Sequence, residues 1–297
     1  TRCSRDWSSD VCSSDLDRKS YKKAMLDAQA KYEETKDKSW LKEISKYNNF
    51  QMARKIQMNS LFGAWGNEFF RFYNADSAAG ITMTGQYIIQ MVGKSLDDYL
   101  NKICGTTGQT YSFYSDTDSC YITLDPLVQK FYKDQPKEKI ITILDKICEE
   151  KIVEAINKAC DQMSDYTNAF ENKIYFKREA IADRGIWVAK KRYALNVYNN
   201  EGVQYTEPKL KVMGLEIVRS STPEPVRDAL KKAVKLALTS TESKLQDYIR
   251  DFENEYRKMD AERIAFPRGV NGLDKYKDRA SIYKSATPMH VRGALLY

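Results

Sequence analysis

Two aspartates stand one residue apart in the segment FYSDTDSCYITL. Asp116 and Asp118 lie between two runs rich in aromatic and β-branched residues, which predict two strands joined by a tight turn. Carboxylates held at a hairpin tip could bind a hard divalent cation such as Mg²⁺. Aspartate and serine are also common turn residues, because their side chains hydrogen-bond to the local backbone. This segment alone therefore leaves both a metal site and a plain turn open.

A second set of reactive side chains lies on predicted helices. In KIQMNSLFG, Lys55, Asn59 and Phe62 recur at i, i+4 and i+7 and so share one helix face. A core lysine and asparagine would need burial partners, so this face better suits contact with a phosphate, a sugar and a base. Arg18 and Lys22 form another i, i+4 pair near a helix start, where free amides favour anions. An ordinary solvated surface is the alternative for this second pair.

Three adjacent cations and a tyrosine form a third candidate, Lys190, Lys191, Arg192 and Tyr193. On a strand, Lys191 and Tyr193 would face one side, and Lys190 and Arg192 the other. These residues suit DNA, because phosphate contacts give sequence-independent affinity and minor-groove lysines can contact acceptors that every base pair presents. A plain run of surface charge is the alternative.

The composition excludes several classes of site. The six cysteines form no C-x-x-C, which argues against a zinc site or a disulfide framework and favours a reducing, intracellular setting. With His290 as the single histidine, histidine-based catalysis is disfavoured and carboxylates with hard cations become the natural chemistry. No run of about 18 apolar residues occurs, so no membrane span is expected. The 297 residues could form one large domain or two to three small ones.

The first sixteen residues, TRCSRDWSSDVCSSDL, differ from the rest. The segment repeats SSD, has no helical or strand period, and lacks the apolar centre of a signal peptide. It resembles the translation of a sequencing adapter, and we expect 1–16 to be a non-native segment outside the fold. Its two arginines and three aspartates carry a charge of −1, so residues 17–297 carry +8. That excess suggests an anionic partner, with a solvated basic surface as the alternative.

The order of expected elements is helices, a mixed α/β middle, then helices, which indicates an α+β fold. Helices at 17–47 and 48–64 would form an antiparallel pair, and a third would cover about 76–103. The other expected elements are a helical stretch at 135–166, strands at 172–198 with a break at Asp183–Gly185, a strand at 205–213, and a helix that follows a hydroxyl cap at 221–222.

Taken together, the motifs resemble the B-family DNA polymerases. K-x3-N-S-x-[YF]-G followed by a strand–D-T-D-S–strand hairpin is similar to motifs B and C of that family. KREAI at 177–181 and WVAKKRYALNVY at 187–198 resemble its later palm motifs, and KVMGLEIVRSSTP at 211–223 resembles its palm-to-thumb junction. The residues of these motifs are most similar to those of the replicative polymerases of large tailed bacteriophages, and the resemblance extends from about residue 17 to residue 297.

The resemblance implies a fold and a reaction. The fold would be helical-hairpin fingers at 17–63, a palm with an antiparallel β-sheet backed by helices at 64–215, and a helical partial thumb at 216–297. In the reaction, a primer 3′-hydroxyl attacks the α-phosphate of a dNTP with the help of two Mg²⁺ ions, and pyrophosphate leaves. The implied partners are primer–template DNA and dNTPs, with a sliding clamp as a further candidate, and the implied location is the cytoplasm of an infected bacterium.

The resemblance also assigns roles to residues. Asp118 would bind metal directly, and Asp116 would support the site through hydrogen bonds or water, with a turn-forming role equally open for it. Glu179 would act on the metal through water, and an ordinary strand-surface glutamate is its alternative. The implied nucleotide contacts are Arg18, Lys22 and Lys55 on the triphosphate, Asn59 on the same face, and Phe62 below the nascent base pair.

Some features depart from the family pattern. The first catalytic motif, which supplies another metal-binding aspartate, has no match, so we expect that this chain alone does not extend a primer. A non-catalytic DNA-binding remnant of a polymerase is the alternative, whereas RNA-templated polymerases are disfavoured because they carry adjacent aspartates. Phe62 replaces the usual tyrosine, so its ring can pack without a hydroxyl contact. Ser115 replaces a common glycine, so a turn that requires positive φ would be mildly strained there.

Overall fold

A computed structural model describes residues 7–278 and 281–296. Helix α1 comprises Trp7–Thr35, and Ser14 within it is buried. Residues 7–16 thus continue the first helix and residues 1–6 lie outside the described residues, while the interpretation of 1–16 as a non-native segment stays a prediction. Adding residues to an existing helix is easier than starting one, so a weakly periodic segment can continue α1 toward its N-terminus.

Helix α2 comprises Ser39–Trp65 and runs antiparallel to α1, as predicted. The turn between them lies at 36–38, so the predicted boundary between 47 and 48 is wrong. Asp37 explains the turn, because its carboxylate accepts hydrogen bonds from the backbone N–H and the hydroxyl of Ser39. Contacts along the two helices run in opposite order: the Asp17–Arg54 ion pair at 2.9 Å, the Tyr21 and Phe50 rings at 5.3 Å, and Lys31 above the Trp40 ring at 4.8 Å.

Helix α3 comprises Ala75–Cys104, close to the predicted 76–103. The Asn74 side chain accepts the N–H of Ser77 at its start, and Gly105 adopts a left-handed conformation with φ 66° at its end. Buried apolar residues recur at every fourth position, which produces one apolar stripe. Its first part packs against buried residues of 148–163, and its last part packs against Tyr111, Leu127 and Leu144. The stripe consists of Ile88, Val92, Leu96, Leu100 and Cys104.

The remaining elements confirm a mixed α+β fold. Strands β1 and β2 pair antiparallel, and three further strands form a second sheet in the order β3–β4–β5 with two-residue connections. The elements are β1 Ser112–Asp116, β2 Ser119–Ile122, α4 Asp125–Phe131, α5 Lys137–Ile147, a π-helical turn Cys148–Ile152, α6 Val153–Tyr166, β3 Ala180–Ala189, β4 Arg192–Asn200, β5 Val203–Met213, a 3₁₀ turn Glu216–Val218, α7 Glu224–Thr239, α8 Glu242–Tyr256, α9 Ala261–Ile264, a 3₁₀ turn Leu273–Tyr276 and α10 Met289–Leu296.

Strand β3 differs from the prediction in where it begins and in its continuity. Residues 172–179 alternate in exposure like extended chain but belong to no strand, and β3 continues through Asp183–Gly185 without the expected break. Gly185 fits inside the strand because the Trp187 ring covers it closely, so a Cβ there would collide with the ring.

The hydroxyl cap expected before α7 is also absent, since Pro223 occupies the cap position and no side chain caps the helix.

The chain divides into two compact units. One contains Thr1–Ala182 and Val197–Lys209, and the other contains Asp183–Asn196 and Leu210–Tyr297. The boundaries of fingers, palm and thumb stay predictions. In the described part of the chain, no helix combines the length and the apolar character that a membrane crossing requires.

Within the first unit, a buried carboxylate on α1 pairs with β5. Only 6% of the Glu33 side chain is exposed, and it accepts a hydrogen bond from Lys209 at 2.5 Å and another from Lys36. Burial acts to raise the pKa of Glu33, but the hydrogen bonds and charges of Lys209 and Lys36 outweigh it and place that pKa below its ordinary value. The ionised form is thus favoured in the folded protein.

We expect this ion pair to make stability depend on acid pH. A folded-state pKa below the unfolded value adds stability above the unfolded pKa of about 4.3, and that stability disappears as pH falls through the lower folded pKa. Glu33→Gln should therefore lower Tm at neutral pH, and the difference from wild type should shrink in acid. Thermal unfolding followed by circular dichroism tests this, with the exposed neighbour Glu34→Gln as the control. A Tm difference that is independent of pH would contradict the assignment.

The β1–β2 hairpin is attached to α3 by one carboxylate. Asp97 accepts hydrogen bonds from the backbone N–H groups of Tyr111 and Ser112 at 2.9 and 2.7 Å, and from the Ser112 hydroxyl at 2.9 Å. Four residues later on α3, the Asn101 side chain both donates to and accepts from the backbone of Gln109. The chain entering β1 is thus held at two points along one helix face.

Removal of the Asp97 carboxylate should destabilise the protein. Asp97→Ala leaves two N–H groups without their acceptor, and one hydrogen bond to a charged group contributes roughly 1.5–3 kcal/mol, so we expect a loss of at least about 2–3 kcal/mol. Equilibrium denaturation measures it, and Asp98→Ala, an exposed neighbour on the same helix, should change little. Equal stability of the two variants would show that Asp97 does not hold the hairpin.

Candidate active site

The two aspartates lie at the tip of the β1–β2 hairpin. Asp116 ends β1 and pairs with Ser119, and its backbone carbonyl accepts both the Asp118 N–H at 2.7 Å and the Ser119 hydroxyl at 3.1 Å. The Thr117 hydroxyl lies 3.1 Å from a carboxylate oxygen of Asp116. Asp116 is half-buried, whereas Asp118 is exposed and takes part in none of the ion pairs of the described residues. The predicted turn is therefore confirmed. It directs to solvent the carboxylate of Asp118, which is uncommitted in the sense that it has no ion-pair partner among the described residues.

Backbone strain at the tip is located at Thr117 and not at Ser115. Thr117 has φ 57°, in the left-handed region that a β-branched residue rarely occupies, whereas Ser115 pairs regularly with Cys120 within the strands. The expectation of strain at Ser115 is thus wrong, because the positive φ occurs two residues later. A residue held in an unfavourable conformation needs support from its surroundings, and such residues cluster at functional sites.

The tip offers only part of a metal coordination shell. Carboxylate oxygens are the hard ligands that Mg²⁺ prefers, so Asp116 and Asp118 fit such an ion in donor chemistry. Within the described ranges, no group of three histidine, cysteine, aspartate or glutamate residues is arranged to hold a metal. The two aspartates would therefore supply some of the ligands, and other oxygens would supply the rest.

Glu179 lies at the beginning of the second sheet, directly before β3. Its side chain is exposed, and its backbone carbonyl accepts the N–H of Glu201 at 2.6 Å. The preceding Arg178 is buried, donates to the Asn199 side chain at 2.7 Å, and pairs with Asp145 of α5. A buried ion pair with these additional hydrogen bonds fixes the backbone that carries Glu179.

The helix face predicted from Lys55, Asn59 and Phe62 is exposed on α2. All three side chains are exposed, with Phe62 at 41%, and neither Lys55 nor Asn59 makes a hydrogen bond or ion pair with a described side chain. An exposed phenylalanine beside an unpaired cation is better suited to a ligand than to a core. This face and the aspartate hairpin belong to the same compact unit.

The two cations on α1 have different environments. Lys22 donates to a carboxylate oxygen of Glu201 at 2.5 Å, so its charge is paired within the protein. Arg18 is half-buried, and its Nε has no hydrogen-bond partner among the described groups. The antiparallel pairing of Asp17 with Arg54 places Lys55 near the same end of the helix pair as Arg18.

The segment 190–193 is a turn and the start of a strand. Lys190 and Lys191 form the connection between β3 and β4, and Lys191 has φ 62°, so the expected alternation of faces is wrong at these positions. Gly214 explains the geometry, because it approaches the carbonyl of Lys191 so closely that any Cβ at 214 would collide. Both lysines are exposed at this turn.

The next two residues face the protein. Arg192 forms an ion pair with Glu216 at 2.6 Å, and Tyr193 is 5% exposed with its ring stacked on Trp187 at 6.0 Å. Tyr193 thus has little surface for a ligand, and its contact with DNA stays a prediction.

Four residues important to the site were not predicted from the sequence. Asp97 and Asn101 are polar residues four apart beside an apolar stripe, a detectable signal for an anchored strand. Glu201 follows two asparagines and precedes glycine, which predicts a turn, but its partner Lys22 lies 179 residues earlier. No sequence pattern distinguishes Asp145 from the other charged residues of its helical stretch, because its partner Arg178 comes close only in the folded chain.

Comparison with known proteins gives consistent matches. The model of DNA polymerase family B matches residues 16–131, and that of divergent family B DNA polymerases matches residues 106–254, half of the chain. The DNA-directed DNA polymerase of Enterobacteria phage T4 is 38% identical over 84% of this chain and 29% of its own length. That of Escherichia phage RB69 is 38% identical over 83% of this chain and 28% of its length.

A more distant relative is the protein named DNA polymerase beta of an African swine fever virus isolate, 27% identical over 57% of this chain and 14% of its own length. The chain spans less than a third of the length of the two phage relatives. The two family models together cover the helix pair, the aspartate hairpin, the second sheet and the first helices after it. The chain belongs to the B family of DNA polymerases.

Proposed function

We propose that this chain is the nucleotidyl-transfer part of a template-directed DNA polymerase, which joins a dNTP to a primer 3′-hydroxyl. The observation that carries the proposal is the uncommitted carboxylate of Asp118 at the tip of a strained hairpin, in a chain that belongs to this family. The helix pair and the aspartate hairpin lie in one compact unit, which supports a shared role.

At the hairpin, Asp118 and Asp116 would hold Mg²⁺, and Glu179 would act on the same site through water. A bound divalent pair would lower the pKa of the attacking hydroxyl and neutralise the charge of the leaving pyrophosphate. The hydrogen bonds inside the turn restrict Asp116 and Asp118 before any ligand arrives. Such restriction reduces the entropy lost when the reacting groups are brought together.

The exposed helix faces would bind the incoming nucleotide. Lys55, with Arg18 and Lys22, supplies cations for a triphosphate. Asn59 lies on the face of Lys55, and the exposed Phe62 ring offers an apolar surface below a base pair.

Primer–template DNA would meet the turn at Lys190 and Lys191, with Arg192 and Tyr193 behind them. Both lysines are exposed, and the ion pair and stacked ring that follow hold the turn in place. We further propose the names fingers, palm and thumb for residues 17–63, 64–215 and 216–297. The phage origin of two relatives supports action in the cytoplasm of an infected bacterium, and we propose a sliding clamp as an additional partner.

The metal role of Asp118 is tested by Asp118→Asn, introduced into this segment within a full-length family B polymerase. The substitution keeps the shape of the side chain and removes the charge, so primer extension should fall about a thousandfold or more, as expected for the loss of several kcal/mol of transition-state stabilisation. Duplex affinity should stay unchanged. Single-turnover extension measures the effect, and Asp134→Asn, in an exposed turn, is the control. Near-normal extension would overturn the assignment, and inactivity of the unmodified protein would favour a DNA-binding remnant.

The DNA role of the 190–191 turn is tested by Lys190→Ala in the 297-residue chain. If this lysine neutralises one phosphate, the dependence of log K on log salt should become shallower by about 0.9, with equal weakening for different duplex sequences. Fluorescence anisotropy at several salt concentrations measures this. Lys158→Ala is the matched control, since Lys158 already pairs with Glu154. An unchanged salt slope would remove Lys190 from the interface.

A further inference from the structure

One ion pair joins the nucleotide-binding face of α1 to the β4–β5 turn. The ammonium of Lys22 lies 2.5 Å from a carboxylate oxygen of Glu201, and the two side chains are 36% and 22% exposed. Both residues belong to the same compact unit. A partly buried pair at this distance binds more strongly than an open surface pair, yet solvent and ions can still reach it.

Glu201 is held firmly in its position. Its backbone N–H donates to the carbonyl of Glu179 at 2.6 Å, and it has φ 50° in a two-residue turn with Gly202. The N–H of Gly202 donates to the side chain of the buried Asn199, which also receives the hydrogen bond from Arg178. The carboxylate therefore approaches Lys22 from a fixed backbone.

The cations of the proposed triphosphate site are thus unequal. Lys55 has no ion-pair partner among the described side chains, and Arg18 keeps an unsatisfied Nε. Lys22 is neutralised by Glu201. An ammonium held by a carboxylate must leave it, or share it, before it can contact a phosphate oxygen.

We propose that Glu201 competes with the nucleotide triphosphate for Lys22 and so sets the affinity of this site for dNTPs. The inference rests on the proposed nucleotide-binding role of Lys22. Triphosphate oxygens displace the Glu201 carboxylate, and the ammonium passes from one anion to the other without any covalent change. Glu201 is thereby a positioning residue that acts through Lys22.

The exchange also changes how α1 is attached. Among the described residues, the ion pairs Lys22–Glu201 and Glu33–Lys209 join α1 to the β4–β5 region, and Glu33 is the buried member of the second pair. Lys22 and Glu33 are separated by about 16 Å along the helix at 1.5 Å per residue. Nucleotide binding releases the Lys22–Glu201 attachment and leaves the attachment through the buried Glu33 carboxylate in place.

The test measures binding of dATP with Mg²⁺ to the 297-residue chain by isothermal titration calorimetry. Glu201→Gln should tighten binding about two- to fivefold, the range expected when an ion pair worth up to ~1 kcal/mol no longer competes. Glu207→Gln removes the same charge from an exposed position on β5 and should leave the affinity unchanged. Glu201→Asn, which tolerates positive φ, should match Glu201→Gln and replaces it if that variant does not fold.

Lys22→Ala separates this inference from the proposed function. The variant should bind dATP more weakly, and adding Glu201→Gln to it should give no further tightening. Unchanged binding by Lys22→Ala would overturn the role of Lys22 in the proposed function and the inference with it. Weaker binding by Lys22→Ala, with Glu201→Gln equal to Glu207→Gln, would overturn the inference alone. Tightening by Glu201→Gln that persists without Lys22 would also overturn it, because it would show a general charge effect.

Discussion

The packing of α3 against α6 supports the aspartate hairpin, and the proposed chemistry depends on that support. Two strands of five and four residues are marginally stable alone in water. The apolar stripe of α3 buries one helix face, and Cys120 and Ile122 of β2 pack against the same core. The carboxylate of Asp97 then attaches the start of β1. Only a hairpin supported in this way can hold Thr117 with positive φ and keep Asp118 exposed.

Polar groups around the two sheets serve different purposes according to their burial. The Arg178–Asp145 and Glu33–Lys209 pairs each contain one buried side chain, Arg178 and Glu33, which has further hydrogen-bond partners, so these pairs hold backbone segments in place. In Lys22–Glu201 neither side chain is buried to that degree, so an incoming anion can displace the carboxylate at smaller cost. Lys55 has no such partner among the described residues. The presence of a buried member thus separates the ion pairs that maintain the fold from the charges available to a ligand.

Patterns of short range were predicted correctly from the sequence. The alternating residues around Asp116 and Asp118 indicated the hairpin, and the i, i+4, i+7 spacing of Lys55, Asn59 and Phe62 indicated one exposed face. Predictions failed where distant residues determine the local conformation. Gly185 was interpreted as a strand break because its sequence context does not show the Trp187 ring above it.

The turn at Lys190 and Lys191 shows the same limit. The three cations before the tyrosine were predicted to lie on a strand. Lys190 and Lys191 instead form a turn, at which Gly214 closely approaches the carbonyl of Lys191. The boundary between the first two helices was misplaced because the polar pair at 48–49 resembles a break, while the helix actually ends beside Asp37. In each case the competing local signals were similar in strength, and tertiary contacts selected one of them.

By itself the sequence determined the class of fold, the family, and the types and spacing of the side chains that carry the proposed chemistry. These follow from periodicity and motif order, which are local properties of the chain. Only the tertiary structure decided which charges are paired within the protein and which are exposed to a ligand. Lys22 and Lys55 are both lysines on helices, and one is paired with Glu201 while the other is exposed. The physical reason is that an ion pair requires two groups within a few ångströms, and folding alone brings residues 22 and 201 together.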